Sequence, residues 1–312
     1  LALARAAHRH HGLTRFSYVS TAYVAGRRAG EIAEEDLSDA WGFENVYEQS
    51  KFAAELTVRS AAAELPVSVF RPAMIVGDSR DGVLATFNTV YVPLRLYLGG
   101  RLRVLPCRAS QPVNIVPMDH VADAVTRLSL DPRAAGLTFH LTTPAEALPT
   151  AGELLREVRR WARARLGVKL PRPLFVPALG ALLPLLARLS RRASGLLPAG
   201  LLSYFAERRR FLRANTDRLL GGECPAWRQY LPGLLEHAVR RSFLHESGRT
   251  AHEQVLFRLK STRRPITYHD LVAGTDVARS GAEVRREMLS AAAALRALGV
   301  GPGDRVGSVG WD

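Results

Sequence analysis

Cysteine and uninterrupted apolar runs are what this sequence has least of. Its two cysteines, Cys107 and Cys224, cannot form a disulfide framework, and neither has a Cys or His at metal-ligand spacing. Both thiols are therefore expected to be structural, in a reducing, intracellular setting. The longest apolar stretch, PLFVPALGALLPLLA from Pro173 to Ala187, is interrupted by prolines and falls short of the roughly 20 residues that cross a bilayer. No transmembrane helix is expected. The first residues, LALARAAHRHHGLTRFSYVS, hold neither an initiator Met nor a charged region leading to a cleavage site. They predict no signal peptide and read as the middle of a longer protein. Aromatics make up only 7% of the chain and are not interleaved with its basic residues, which argues against nucleic acid as a partner.

What is present is enough for a folded core, since 47% of the 312 residues are hydrophobic. The formal charge of +14 is uneven, with 14 Lys or Arg against 3 Glu between Ala151 and Ala214. That segment is also rich in Leu, Ala and Pro. An apolar and basic mixture suits helices packed as a lid with arginines outward, an anionic membrane surface, or a phosphate-bearing ligand.

The opening LALARAAHRHHG predicts a helix with Gly12 as its C-cap. His8, His10 and His11 then sit as cations in its last turn rather than as a metal site, and no metal is expected. RFSYVSTAYVAG predicts a buried strand running into a loop, and a polar, acidic loop follows from Arg27 to Asn45. VYEQSKFAAELTVRSAAAEL predicts a long helix closed by Pro66, and PVSVFRPAMIVG a further strand. A helix near Val83 to Leu98, a strand near Leu102 to Leu105 and a short strand in PVNIVPMDHVADAVTRLSL come next, with Asp119 as N-cap of the following helix. GLTFHLTTP adds another strand. This alternation is that of a parallel sheet covered by helices, an α/β fold. From Pro149 to about Leu212 it gives way to a helical, Arg-rich region. After about Ser247 the character changes again, to a linker, a short strand, an amphipathic helix and a Gly/Pro turn.

Tyr47 and Lys51 stand one helical turn apart in FENVYEQSKF, so a helix places both on one face. Reduction of a carbonyl builds charge on its oxygen, and a phenol with a nearby ammonium is a suitable proton donor there. A hydroxyl at the end of the preceding strand, Ser20 or Thr21, would complete an oxyanion site. The spacing alone is equally that of a solvated helix face. Its place between YVSTA and FRPAMIVG gives it weight.

Through YVSTAYVAG, YEQSK, FRPAMIVGD and NIVPMDHVADAV the sequence resembles the extended short-chain dehydrogenase/reductase superfamily. FENVYEQSKFAAE, FHLTTP and NTDRLLGG are most similar to its thioester reductase and fatty acyl reductase branch, over roughly Leu1 to Leu244. The resemblance implies a partial Rossmann-type doubly wound parallel sheet. It also implies Thr21, Tyr47 and Lys51 as catalytic residues. Ser20, Tyr47, Lys51, Arg71, Pro72, Ala73 and Met74 would lie along the cofactor, NADP or NAD. The Gly-rich first βα turn of that superfamily has no room before Thr21. GVGPGDRVG at Gly299 to Gly307 follows a helix and fails the context such a turn needs. AAAALRALGVGPGDRVGSVGWD instead resembles the entry of the adenylate-forming acyl ligase family, over about Ile266 to Asp312.

The expected organisation is a C-terminal portion of a reductase domain over 1–246, with a helical lid at 151–214. A linker at 247–265 and the truncated start of an AMP-binding ligase-like domain at 266–312 follow. The implied activity is reduction of acyl thioesters, borne by acyl-CoA or an acyl carrier protein, to aldehyde or alcohol. ATP would serve only the ligase portion, and the isolated fragment would be inactive. A cytoplasmic location follows, with peripheral membrane contact through 151–214. A ketone or β-keto acid reductase or alcohol dehydrogenase, and a non-catalytic membrane-docking or scaffold module, remain as alternatives.

Overall fold

The computed structural model of the protein describes residues 1–87, 90–100, 102–177, 209–222, 224–241, 243–244, 255–256, 259, 266–270, 274–301 and 304. They belong to two compact units, Leu1–His245 and Glu246–Asp312. The first opens with α1 (Ala2–His11), β1 (Phe16–Val19), β2 (Gly30–Ile32), α2 (Val46–Arg59), β3 (Val67–Pro72) and β4 (Met74–Val76). It continues with α3 (Tyr91–Leu98), β5 (Val104–Leu105), β6 (Ile115–Pro117), α4 (Met118–Leu130), β7 (Thr138–Leu141) and α5 (Ala151–Leu166). β8 (Leu174–Phe175), β9 (Arg209–Phe211), α6 (Ala214–Leu220) and α7 (Trp227–Arg240) complete it.

β1, β3 and β7 form a parallel sheet in that order. Side chains alternate across β3, so its two faces can be read residue by residue. Val67 and Val69 pack with Val58 of α2, Ala61 and Leu65, against which Leu1 and Ala4 also lie. Phe70 packs on the other side with Phe139 and Leu141 of β7 and with Val121, Ala124 and Leu128 of α4. With helices on both faces, β3 and β7 are buried at every position, as parallel strands in doubly wound sheets are. β1 differs from the buried strand expected of it. Its residues alternate half-buried and exposed, because it pairs only with β3 among the described strands.

The strand expected across PVSVFRPAMIVG is two strands. The chain changes neighbours at Ala73, whose N–H donates to Leu141 O at 3.2 Å, while Met74 N–H donates to Asn114 O at 3.3 Å. β3 thus runs beside β7, and β4 runs parallel beside β6. Other boundaries also move. α2 stops at Arg59, where tight turns take over the backbone bonds before Pro66. α3 begins at Tyr91 rather than near Val83, since Val83 to Phe87 are not helical. Asp119 lies inside α4 instead of capping it, and its carboxylate accepts from Ser79 N–H at 2.8 Å and Ser79 Oγ at 2.6 Å.

The region after Pro149 is not wholly helical. α5 is a strong helix, with a Thr150/Glu153 capping box, Gly167 left-handed at its end, and Leu154, Leu155 and Val158 buried. Each such side chain contributes about 1.5–3 kcal/mol over exposure. β8 and β9, however, return to pair in parallel with β5 and β2. Nearly half of the expected lid, 178–208, lies outside the described residues. In the second unit β10 (Ile266–Asp270) pairs antiparallel with β11 (Thr275–Arg279), and α8 (Gly281–Ala297) follows with its own Ser280/Glu283 capping box. The strand expected after the Gly/Pro turn lies outside the described residues. Among the described residues no helix is long and apolar enough to cross a membrane.

Candidate active site

In an open parallel sheet the backbone groups and turns beyond the C-terminal strand ends form the natural ligand crevice. Here those ends carry Ser20 and Thr21 after β1, Pro72 and Ala73 at the end of β3, and Thr142 and Thr143 after β7. All are buried or nearly so.

Thr21 is extended (φ −151, ψ 148) and starts a 3-10 turn over Ala22–Ala25. Its Oγ1 accepts from Tyr23 N–H at 3.3 Å and donates to Pro72 O at 3.4 Å. The hydroxyl expected in catalysis therefore also joins the β1 end to the RPAM segment. Ser20 N–H donates to Phe70 O at 2.7 Å, whereas Ser20 Oγ is buried with no hydrogen-bond partner. The turn closes on Gly26 (φ 58), where an added Cβ would collide with the carbonyl of Gly42. Only glycine fits that close approach.

Tyr47 is the second residue of α2 and is 53% exposed, so its phenol is open to a ligand. Asn45 caps the helix by accepting from Glu48 N–H at 2.9 Å. Lys51, one turn on, donates from Nζ to Val19 O at 2.7 Å and lies 4.8 Å above the Tyr18 ring. An ammonium has three donors. One N–H is fixed on the strand end, and two are left for a phenol or a ribose. The structure thus brings Lys51 to the end of β1 beside Ser20 and Thr21, with Tyr47 on the same helix.

Arg71 behaves differently from its three neighbours in sequence. Its side chain is fully buried on the α2 face, bonded to Glu55 through Nη2 at 2.7 Å and through Nε at 3.1 Å. Nη1 donates to Glu34 O at 3.2 Å and lies 3.4 Å from His140 Nε2. His140 Nδ1 is 2.7 Å from Leu212 O, a pure acceptor, so Nδ1 carries the proton and Nε2 faces the guanidinium. Burial first, then the Arg71 cation, push His140 down to about 3, leaving it neutral. Any cofactor contact of Arg71 is consequently limited to its backbone.

Several residues around the site had no signal in the sequence. Glu48, fully buried beside Tyr47, lies 3.9 Å from Arg209, and the Arg209 guanidinium sits 4.8 Å over Tyr23 and donates to Gly26 O at 2.7 Å. Glu34, in the loop read only as polar and acidic, accepts from His140 N–H, Asn215 N–H, Thr216 N–H and Thr216 Oγ1. Burial outweighs these donors and raises its pKa above the ordinary carboxylate value. Such contacts span more than a hundred residues and leave no local pattern. Cys107 is buried with its thiol pushed up to about 11, and no cluster of potential metal ligands occurs among the described residues.

Residues 1–125 match the family described as male sterility protein. A nonribosomal peptide synthetase of Aspergillus flavus is 33% identical over 156 residues, covering 45% of this chain and 15% of that protein. A fatty acyl-CoA reductase of Drosophila melanogaster is 31% identical over 93 residues, covering 29% of this chain and 18% of that protein. The solved terminal R domain from the myxalamid PKS-NRPS biosynthetic pathway superposes with a TM-score of 0.54 and 28% identity, over 74% of this chain and 59% of that one. The chain therefore spans less than a fifth of each of these two curated relatives. Residues 1–125 are thus similar to the male sterility protein family, and the fold is an α/β fold of the short-chain dehydrogenase/reductase kind.

Proposed function

We propose that the protein is part of an NAD(P)H-dependent reductase acting on acyl thioesters, with Thr21, Tyr47 and Lys51 as its catalytic residues. The observation that carries this reading is the bond from Lys51 Nζ to Val19 O, which brings the helix cation to the strand end bearing Ser20 and Thr21. The kinship with a fatty acyl-CoA reductase and a peptide synthetase supports thioesters as the substrate class. The buried, unpartnered Ser20 Oγ and the two remaining Lys51 donors suit the polar edge of a nicotinamide ribose.

A bound reduced nicotinamide would supply a hydride to the thioester carbonyl carbon. Thr21, turning its hydroxyl away from Pro72 O, and Tyr47 donate hydrogen bonds to the carbonyl oxygen as charge grows there, and Tyr47 gives it a proton. Lys51, held by Val19, favours the resulting phenolate through its charge. The carbon–sulfur bond of the hemithioacetal then breaks as the oxygen returns its proton to Tyr47, and the thiolate and the aldehyde leave. The family resemblance of 266–312 extends the proposal to an adenylating acyl ligase that would deliver activated acyl groups to this site.

The test is to incubate the full-length protein with acyl-CoA and NADPH and to follow cofactor oxidation together with free thiol. Thiol release equal to cofactor consumed supports the thioester route, whereas consumption without thiol, when a 3-oxoacyl-CoA is the substrate, assigns a ketone reductase. Tyr47→Phe is expected to lower turnover by about 10²–10⁴. Unchanged turnover rejects the site.

A further inference from the structure

Thr21 and Tyr47 come from different parts of the chain, and the structure holds them in different ways. Thr21 is buried and bonded to Pro72 O and Tyr23 N–H. The Tyr47 side chain is exposed, so packing does little to place it, and its position depends on the first turn of α2. Helix ends fray unless side chains hold them. Here Asn45 accepts the Glu48 N–H at 2.9 Å, and Glu48 turns its carboxylate inward to accept the Glu44 N–H, also at 2.9 Å.

Arg209 stands between these two parts. It lies on β9, in register with Gly30 of β2, and its side chain is buried. On one side Nη1 donates to Gly26 O at 2.7 Å, and the guanidinium sits 4.8 Å over the Tyr23 ring. Tyr23 and Gly26 belong to the turn that begins at Thr21. On the other side the same Nη1 is 3.9 Å from Oε1 of the fully buried Glu48. One guanidinium thus meets both the turn after Thr21 and the residue after Tyr47. A buried ion pair adds little net stability, because desolvation of both charges offsets their attraction. What a planar, rigid guanidinium supplies is direction.

We propose that Arg209 is a positioning residue: through Tyr23 and Gly26 on one side and Glu48 on the other, it sets the Tyr47 phenol against the Thr21 hydroxyl. The inference rests on the catalytic reading of Thr21 and Tyr47 above and deepens it. Two donors can serve one carbonyl oxygen only while their separation is fixed, and a misplacement of about 1 Å costs about 10²-fold in rate. Arg209 and Glu48 act through the two donors and not on the substrate. Their loss therefore lowers kcat and leaves ground-state binding alone.

Steady-state kinetics of the full-length protein with acyl-CoA and NADPH, together with melting temperatures, test the assignment. Arg209→Met strands the Glu48 charge. Combining it with Glu48→Gln removes both charges and keeps an oxygen for the Glu44 N–H. The double variant is expected to melt close to the wild type and to hold KM for both substrates within about threefold, while kcat falls by about 10–100-fold. In Arg209→Met alone the uncompensated carboxylate beside Tyr47 disfavours the phenolate, so the alkaline limb of kcat moves to higher pH. Adding Glu48→Gln returns the limb. Lys51 and the Glu44–Arg27 pair, the other charged groups around this turn, are the same in every variant. A residue serving the fold alone would lower the melting temperature and leave the limb in place. Wild-type kcat in the double variant overturns the proposal, as does an unmoved limb in Arg209→Met. Where Arg209→Met does not fold, the double variant decides. Full turnover in Tyr47→Phe would remove the catalytic reading itself, whereas an inactive Tyr47→Phe beside a fully active double variant would remove this inference alone.

Discussion

Lys51 Nζ donates to the carbonyl oxygen of Val19 at 2.7 Å, joining residues 32 apart in sequence. The last residue of β1 thereby fixes the ammonium where the strand passes into Ser20 and Thr21. Removing the charge should leave the fold intact, because Lys51 is half-buried on the surface side of α2 and makes no other bond with an acceptor among the described residues. Lys51→Met is expected to lower kcat/KM for acyl-CoA reduction by about 10² or more, with an unchanged circular dichroism spectrum. A variant within threefold of wild type would remove Lys51 from the catalytic set.

Ser20 and Thr21 can be told apart. Thr21 Oγ1 has two partners, Pro72 O and Tyr23 N, whereas Ser20 Oγ has none and is buried. Thr21→Val should cost about 1 kcal/mol of stability as a lost cap as well as activity. Ser20→Ala removes an unsatisfied buried group and should be neutral or stabilising. Thermal shifts with and without NADP decide its role. A nucleotide-induced shift that shrinks in Ser20→Ala marks the hydroxyl as a cofactor contact, and an undiminished shift excludes it.

The buried ion pair of Arg71 and Glu55 makes a stability prediction. Both side chains are 0% exposed, and Arg59 adds a second cation at 3.0 Å from the same carboxylate. Glu55→Leu strands Arg71 without its counter-charge and is expected to cost about 3–5 kcal/mol in urea unfolding. Replacing both partners with apolar residues, Glu55→Leu with Arg71→Met, should recover part of that loss. A single variant as stable as wild type would contradict the packing described.

His140 gives the fold a pH dependence whose sign follows from its environment. Its folded value of about 3 lies below the ordinary imidazole value of 6.5, so between the two the unfolded chain holds more protons. Stability from this residue is full above about 6.5 and is lost as pH falls toward 3. Melting temperatures measured from pH 7 to 5 should fall more steeply for wild type than for His140→Asn. Parallel curves would show that His140 is not held neutral.

Much of the sheet was legible because its strands carry strong local patterns. VSVFRP and TFHL are continuous β-rich runs bounded by Pro or Gly, and both become buried parallel strands. The helix over Val46–Arg59 was legible as a run of good helix formers ahead of Pro66, whereas its cap at Asn45 and the capping box at Thr150 came only from the structure. The break at Ala73 was hidden, since a change of pairing partner leaves the side-chain alternation of FRPAMIV almost undisturbed. Asp119 misled for the opposite reason, because an acidic residue at a helix start suits a cap and a distant serine equally well. In the site, the turn of helix separating Tyr47 from Lys51 was visible, whereas Glu48 and Arg209 meet only through folding.

Glu34 sets an order on how the chain can mature. The N–H groups that open α6 have no side-chain cap of their own, and those of Asn215 and Thr216 are satisfied by a carboxylate up to 182 residues earlier. Until residue 216 has left the ribosome, that carboxylate has only the His140 N–H from β7 among its four donors. The loop carrying it, which also supplies the carbonyl bonded to Arg71, thus gains its full support late. A protease added during synthesis should find residues 27–45 cleavable until the chain has passed α6, and protected afterwards.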